Sequence, residues 1–232
     1  MSIRLNFVVE GQTEETFVNR VLRPHLATFS VWASAHQITT SRRRGAICRG
    51  GHTHYGALKK DLLLWTRQDQ NADAAFTTMI DLFALPTDFP GYDTALLAPD
   101  PWTRVKLLEQ SMKTDLNDRR LVPYIQVHEF EALIFTKPDE LAFVYSEPDH
   151  RTAIQELAQV AAGFSSPEMI NDGRDTAPSR RLASLIPEFP GMKSTAGPLI
   201  TERIGLTQLR QKCMHFHEWL SNLEALPQRG SQ

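Results

Sequence analysis

The chain has 232 residues, 41% of them hydrophobic and 22% charged, with a formal net charge of −2. That balance fits a globular protein with a real core and excludes a strongly basic protein that coats nucleic acid; any nucleic-acid contact must come from a local patch. No apolar run approaches the roughly 18 residues of a membrane span, and two cysteines do not make a disulfide framework. With no signal-like segment at the start, a reduced, cytoplasmic protein is expected.

In chain order, residues 3–9 read as a first strand ending on Glu10 and Gly11. Residues 13–28 read as a helix, with Thr13 as N-cap and Glu14 and Glu15 in the first turn, where the helix dipole favours negative charge. A short strand is expected within 31–39. The stretch "TTSRRRGAICRGGHTHYG" then reads as a basic, Gly-rich loop. Residues 56–68 have helical periodicity through Leu58, Leu62 and Trp65. A second strand, 75–83, is β-branched and aromatic, and "ALPTDFPGYD" breaks it. A helix over 101–116 and a third strand over 121–127 follow, then "HEFEALIF". Further helices are expected at 152–162, 179–186, 197–205 and 207–224.

Strands alternating with helices predict an α/β fold, with a mostly parallel sheet over residues 1–150 and a helical C-terminal extension over 151–232. The sequence alone leaves open whether the extension packs on the sheet.

The strand-like runs end on acids: Glu10, Asp81, then Glu129 and Glu131. In an open parallel sheet the carboxyl ends of the strands form the ligand crevice. Converging carboxylates repel unless a cation or proton sits between them, and hard oxygen ligands select Mg²⁺ or Mn²⁺. Read singly, Glu10 also fits a turn residue accepting backbone N–H bonds, and Asp81 a helix cap or a core salt bridge. Two residues apart on one helix, Glu129 and Glu131 point in different directions, so at most one is expected to join the site. "CMHFH" and "HTH" have the residue types of soft-metal sites, but too few ligands at useful spacing, and read as core and surface. Ser179 and Arg180, at a helix start, form a candidate phosphate site, as does Lys193 in "GMKSTAGPLITERIG".

Four segments carry a resemblance: "VEGQTEETFV", "TTMIDLFALPTDFPG", "PYIQVHEFEALIF" and "INDGRDTAPSRRL". Together they resemble a bacterial family known as a domain of unknown function (type 4276) and related to Toprim proteins. Toprim domains occur in topoisomerases, primases and the nucleases of the OLD (overcoming lysogenisation defect) family. The resemblance implies a Toprim-like, Rossmann-like sheet, and a glutamate and an Asp-x-Asp pair that bind Mg²⁺. Glu10 matches the glutamate and Asp81 the first aspartate. Position 83, where the second aspartate is expected, is Phe83. Asp88, Asp93 or Glu129 are the candidates to replace it.

The resulting expectation is a Mg²⁺- or Mn²⁺-dependent nuclease acting on DNA or RNA. Glu10, Asp81 and Glu129 would be the metal ligands, with Lys193 stabilising charge on the phosphate. Arg42, Arg43, Arg44, Ser179 and Arg180 would hold the backbone. The resemblance also implies an ATPase partner in antiviral defence; a homo-oligomer is a further candidate assembly. The alternative is a Toprim-like binding subunit that has lost catalysis along with its second aspartate.

Overall fold

The structure is a computed structural model that describes residues 2–43, 46–49, 54–170, 173 and 175–229. The elements in chain order are β1 (Ile3–Val9), α1 (Gln12–Phe17), α2 (Arg23–Ala27), β2 (Val31–Gln37), β3 (Thr39–Arg43), β4 (Ala46–Arg49), α3 (Tyr55–Gln68) and β5 (Ala74–Asp81). They continue as α4 (Tyr92–Ala95), α5 (Pro101–Leu116), β6 (Leu121–Val122), β7 (Ile125–Gln126), α6 (Pro148–Ala162), α7 (Pro178–Leu185), α8 (Phe189–Ile204), α9 (Leu206–Lys212), α10 (Met214–Glu224) and α11 (Leu226–Arg229). A π-helical turn, Val18–Leu22, joins α1 to α2, and 3₁₀ segments cover Leu82–Ala84, Phe130–Thr136, Pro138–Phe143 and Pro167–Met169.

The main sheet is parallel throughout, in the order β2-β1-β5-β6, with β7 continuing along β5 beyond β6. The third strand is split because Pro123 has no N–H to give the ladder. Threonines repair the gap: Thr77 Oγ1 donates to Val122 O at 2.6 Å, and Tyr124 N donates to Thr78 Oγ1 at 2.9 Å.

Alternation along the strands sends side chains to two separate cores. Leu5, Phe7, Val9, Ala75 and Met79 face α1, α2, α8 and α10, whereas Val8, Phe76 and Ile80 face α3 and α5. The helices after residue 151 therefore share one hydrophobic core with the sheet. Trp219 of α10 packs edge-on to Phe7 and donates its Nε1–H to Thr77 Oγ1 at 2.9 Å.

Two expectations are corrected. The basic stretch is not a loop over its described part: β3 and β4 form an antiparallel ribbon that pairs Arg42 with Ile47 and Arg43 with Ala46. Arg44 lies outside the described residues, as do His52 and Thr53 of "HTH" in the same stretch. The second correction concerns Lys193. Helix α8 begins at Phe189 and runs on through Pro198, so residues 191–197 are helix and not a phosphate loop.

Candidate carboxylate site

The strand order reverses direction between β1 and β5: β2 lies on one side of β1 and the later strands on the other. Such a switch point opens a crevice at the carboxyl ends of the strands. Glu10 follows β1 and Asp81 ends β5, and the two strands are paired up to Val9 opposite Met79. The geometry locks them together. Glu10 N donates to Met79 O at 3.1 Å, and Asp81 N donates to Glu10 Oε2 at 3.0 Å. Asp81 Oδ1 in turn accepts from Phe130 N at 3.0 Å.

Two more acids join them. Gly11 is the N-cap of α1, in place of Thr13, and its N–H donates to Glu14 Oε2 at 2.9 Å. That bond turns Glu14 back into the crevice, where it is buried. Glu131, in the 3₁₀ segment, is fully buried; its Oε1 lies 2.9 Å from Nζ of Lys193, with no well-aligned hydrogen bond to either oxygen. Glu129 was the expected third ligand, but its carboxylate faces the start of α7. Its Oε1 accepts from Ser179 N at 2.5 Å and its Oε2 from Ser179 Oγ at 2.9 Å. The proposed phosphate position at Ser179 is thus filled by Glu129, while Arg180 is exposed beside it.

Lys193 reaches the acids because α8 lies close on α1 and on the Phe130 segment. A Cβ on Gly197 would stand 3.2 Å from Phe130 Cε1 and 3.6 Å from Thr13 Cγ2, so glycine permits the approach. Lys193 sits one turn earlier on that helix.

Electrostatics follow from this crowding. Burial raises the pKa of Glu10, opposed by the Asp81 N–H and by Lys193. Burial also raises Asp81 well above the ordinary carboxylate range, and the charges of Glu10, Glu14 and Glu131 add to it. Glu14 and Glu131 are pushed up to about 7, again mainly by burial. Burial lowers Lys193, but the charges of Glu131 and Asp81 more than offset it, so its pKa is raised and the ammonium is held charged. Four acids and one lysine in low dielectric leave negative charge that only protons or a cation can balance.

Among the described residues, no three His, Cys, Asp or Glu side chains stand together in an arrangement ready to hold a metal ion. Asp88 does not replace the missing aspartate: its Oδ1 accepts from Tyr55 N at 2.9 Å, at the start of α3. The residues of "CMHFH" diverge. Cys213 is buried, His215 Nε2 lies 2.9 Å from Glu109 Oε1, and His217 Nδ1 accepts from Arg210 Nε at 3.0 Å.

A profile described as "Domain of unknown function (DUF4276)" matches residues 9–224. The chain belongs to this family. The match spans every acid of the crevice together with Lys193. Among solved structures, this family member is similar to the C-terminal region of the Burkholderia pseudomallei OLD protein. The identity is 12% and the TM-score 0.48, over 97% of this chain and 99% of that one. It is also similar to the C-terminal region of the Xanthomonas campestris pv. campestris OLD protein, at 13% identity and a TM-score of 0.37, over 98% of each chain. A comparison with curated proteins returns no match. Among the described residues, no helix is long and apolar enough to cross a membrane.

Sequence reasoning named Glu10, Asp81 and Lys193, and the structure brings these three together with Glu14 and Glu131. It missed Glu14, which the helix dipole explained without need of a site. It chose Glu129 over Glu131. The signal for Glu131 was the apolar run around it, "FEALIF", in which a charge has no reason to be buried unless it is paired.

Proposed function

We propose that this protein is a Mg²⁺- or Mn²⁺-dependent nuclease that hydrolyses phosphodiesters at the crevice between β1 and β5. The observation that carries the reading is the meeting of Glu10 and Asp81 at the switch point, with Lys193 held beside them. The donor chemistry fits: hard oxygens in excess negative charge suit a divalent cation. Glu10 and Asp81 would hold it through the oxygens they do not give to backbone N–H groups, and Glu129 completes the set only by leaving Ser179. When bound, such a metal supplies Lewis acidity to the phosphodiester and lowers the pKa of its water.

The chain's own residues do the rest. Glu10 would act either as metal ligand or, with its oxygen free of the Asp81 N–H, as the base that takes a proton from an attacking water. Lys193, kept charged by Glu131, would stabilise charge building on the phosphate. The β3–β4 ribbon follows β2, whose carboxyl end pairs with that of β1, and in this reading Arg42 and Arg43 would hold the nucleic-acid backbone. Action in antiviral defence beside an ATPase belongs to the same proposal and follows from the Toprim resemblance alone.

The test is calorimetric titration of Mg²⁺ and Mn²⁺ into metal-free protein, with Glu10→Gln and Asp81→Asn alongside, followed by cleavage assays on DNA and RNA. Saturable binding lost in both variants, with cleavage lost in parallel, supports the reading. Wild-type protein that binds no divalent ion sinks it. Two observations favour the second reading, a non-catalytic binding subunit: Glu129 is tied to Ser179, and Phe83 stands where an aspartate is expected. That reading expects a stable complex with a partner chain and no divalent binding without it.

A further inference from the structure

Strand β2 is an edge of the parallel sheet. Among the described residues it pairs only with β1, in a register that runs from Ile3 opposite Val31 to Val9 opposite Gln37 without a bulge. Hydrogen bonds at its two ends fix which backbone groups face β1. Ser30 O accepts from Ile3 N at 3.0 Å, and Ile38 N donates to Val9 O at 3.0 Å. Backbone groups alternate in direction along a strand, so Trp32, Ser34 and His36 share that side. Val31, Ala33, Ala35 and Gln37 therefore point their N–H and C=O groups away from the sheet. None of these outward groups bonds to another described residue.

A long open edge is a template for another strand, and proteins blunt it with lysine, proline, bulges or charge. Strand β2 is seven residues long, VWASAHQ, and carries no lysine, proline or acid. Its neighbour on β1 adds no loose charge: Arg4, opposite Trp32 in the register, lies 2.9 Å from Asp69 Oδ2 and 3.0 Å from Asp73 Oδ1. The α3 face of the strand is unevenly covered. Trp65 of α3 stacks on His36 with the ring centroids 4.0 Å apart, whereas Trp32, four residues earlier on the same face, is 57% exposed.

We propose that β2 is the docking edge for a second copy of this chain, paired antiparallel about a two-fold axis through Ser34. The occupant follows from the symmetry of the strand itself. With Ser34 opposite its own mate, Ala33 meets Ala35 of the second copy and Val31 meets Gln37. These are the residues whose groups point outward, so each pair exchanges two hydrogen bonds. Trp32 then lies opposite His36 of the second copy in a non-hydrogen-bonded pair, where facing side chains come closest. The stack of His36 on Trp65 in one copy thereby covers the open indole of the other, and the two-fold repeats the contact. Alanine and serine at the axis let the backbones close, and no like charges meet. The joined strands run in opposite directions, so the two carboxylate crevices open at opposite ends of the continuous sheet and neither copy completes the other's site. The inference is independent of what the crevice does.

The experiment is sedimentation equilibrium of the full chain at micromolar concentrations, for wild type and Trp32→Lys, with cysteine cross-linking to read the register. Trp32 is exposed, so its variants keep the fold; thermal unfolding checks this. Wild type is expected to dimerise, and Trp32→Lys to weaken dimerisation about 10-fold or more by removing the indole and placing charge on the edge. Cross-linking is done with Cys48 replaced by serine. Ser34→Cys is expected to give a covalent dimer under mild oxidation, because the Cα atoms of this pair stand about 4.5 Å apart. Trp32→Cys is expected to give none, being offset from its own mate by four residues, roughly 13 Å along the strand. Wild-type protein that stays monomeric overturns the inference, and so does a dimer that Trp32→Lys leaves intact. Equal cross-linking of Ser34→Cys and Trp32→Cys overturns it too, since random collision then accounts for both.

Discussion

Glu168, in the 3₁₀ turn Pro167–Met169, and Glu131 are both fully excluded from solvent, and their surroundings differ completely. Glu168 accepts from Trp102 Nε1 at 2.7 Å and from the N–H groups of His215 and Phe216, each at 3.1 Å. The last two open α10, so the carboxylate satisfies donors that the helix leaves orphaned. Among the described residues Glu131 receives no aligned hydrogen bond; its Oε1 lies 2.9 Å from the Lys193 ammonium, and Asp81 is near enough to feel its charge. One acid is a structural clasp whose charge is spread over three donors. The other belongs to a cluster whose charge is left partly unbalanced. Burial alone does not distinguish the two acids; the number of donors each receives does.

The largest expected effect breaks the clasp. Glu168→Ala strands three buried donors, each costing about 1–3 kcal/mol, so stability is expected to fall by more than about 3 kcal/mol in chemical denaturation. A loss under about 1 kcal/mol would erase the contrast, because Glu168 would then be as dispensable to the fold as the crevice acids. Asp81→Asn is the counterpart. Metal-dependent cleavage is expected to drop about 100-fold or more, while the melting temperature without metal stays level or rises, because an amide still accepts from Phe130 N and the repulsion is relieved.

The pH dependence sharpens the same point. Glu14 and Glu131 have their pKa values raised to about 7 in the folded protein. A raised carboxylate pKa means that the protonated form favours the fold. Its contribution is complete below the ordinary carboxylate pKa and is lost as pH rises towards 7 and past it. Metal-free protein is therefore expected to lose on the order of 1–3 kcal/mol between about pH 4.5 and pH 8, and Glu131→Gln to flatten that slope. Added Mg²⁺ should restore stability at pH 8 by binding the folded state. A melting temperature that rises over this range in metal-free protein, and equally in Glu131→Gln, would contradict the charge assignment.

The smallest effect on stability is expected at Gly197. Alanine gains about 1 kcal/mol of helix propensity but crowds Phe130 by a comparable amount, so the two offset to within about 1 kcal/mol. The readout is activity: any shift of α8 moves Lys193 away from Glu131, and cleavage should fall more than stability does.

The α/β alternation and most elements were legible because they rest on local patterns. Helices α3 and α5 start and end within a residue or so of where periodicity and Pro101 put them. The β3–β4 ribbon was not legible, since Thr39–Arg43 is polar throughout and Ala46–Arg49 is too short to show alternation. The 3₁₀ run Phe130–Thr136 was hidden for a related reason: "FEALIF" is apolar almost throughout, and an apolar run has no periodicity of its own.

Chain order is enough to say that acids follow the strands, that a glycine follows Glu10, and that Phe83 stands two residues after Asp81. These are statements about neighbours along the backbone. Which acids share a space was settled by packing in three dimensions. Packing folded Glu14 back through the Gly11 N–H, gave Glu129 to Ser179 and buried Glu131 against Lys193, 62 positions further along. The physical reason is that convergence depends on strand order and on how closely α8 can approach, and both are set by contacts between residues far apart in sequence.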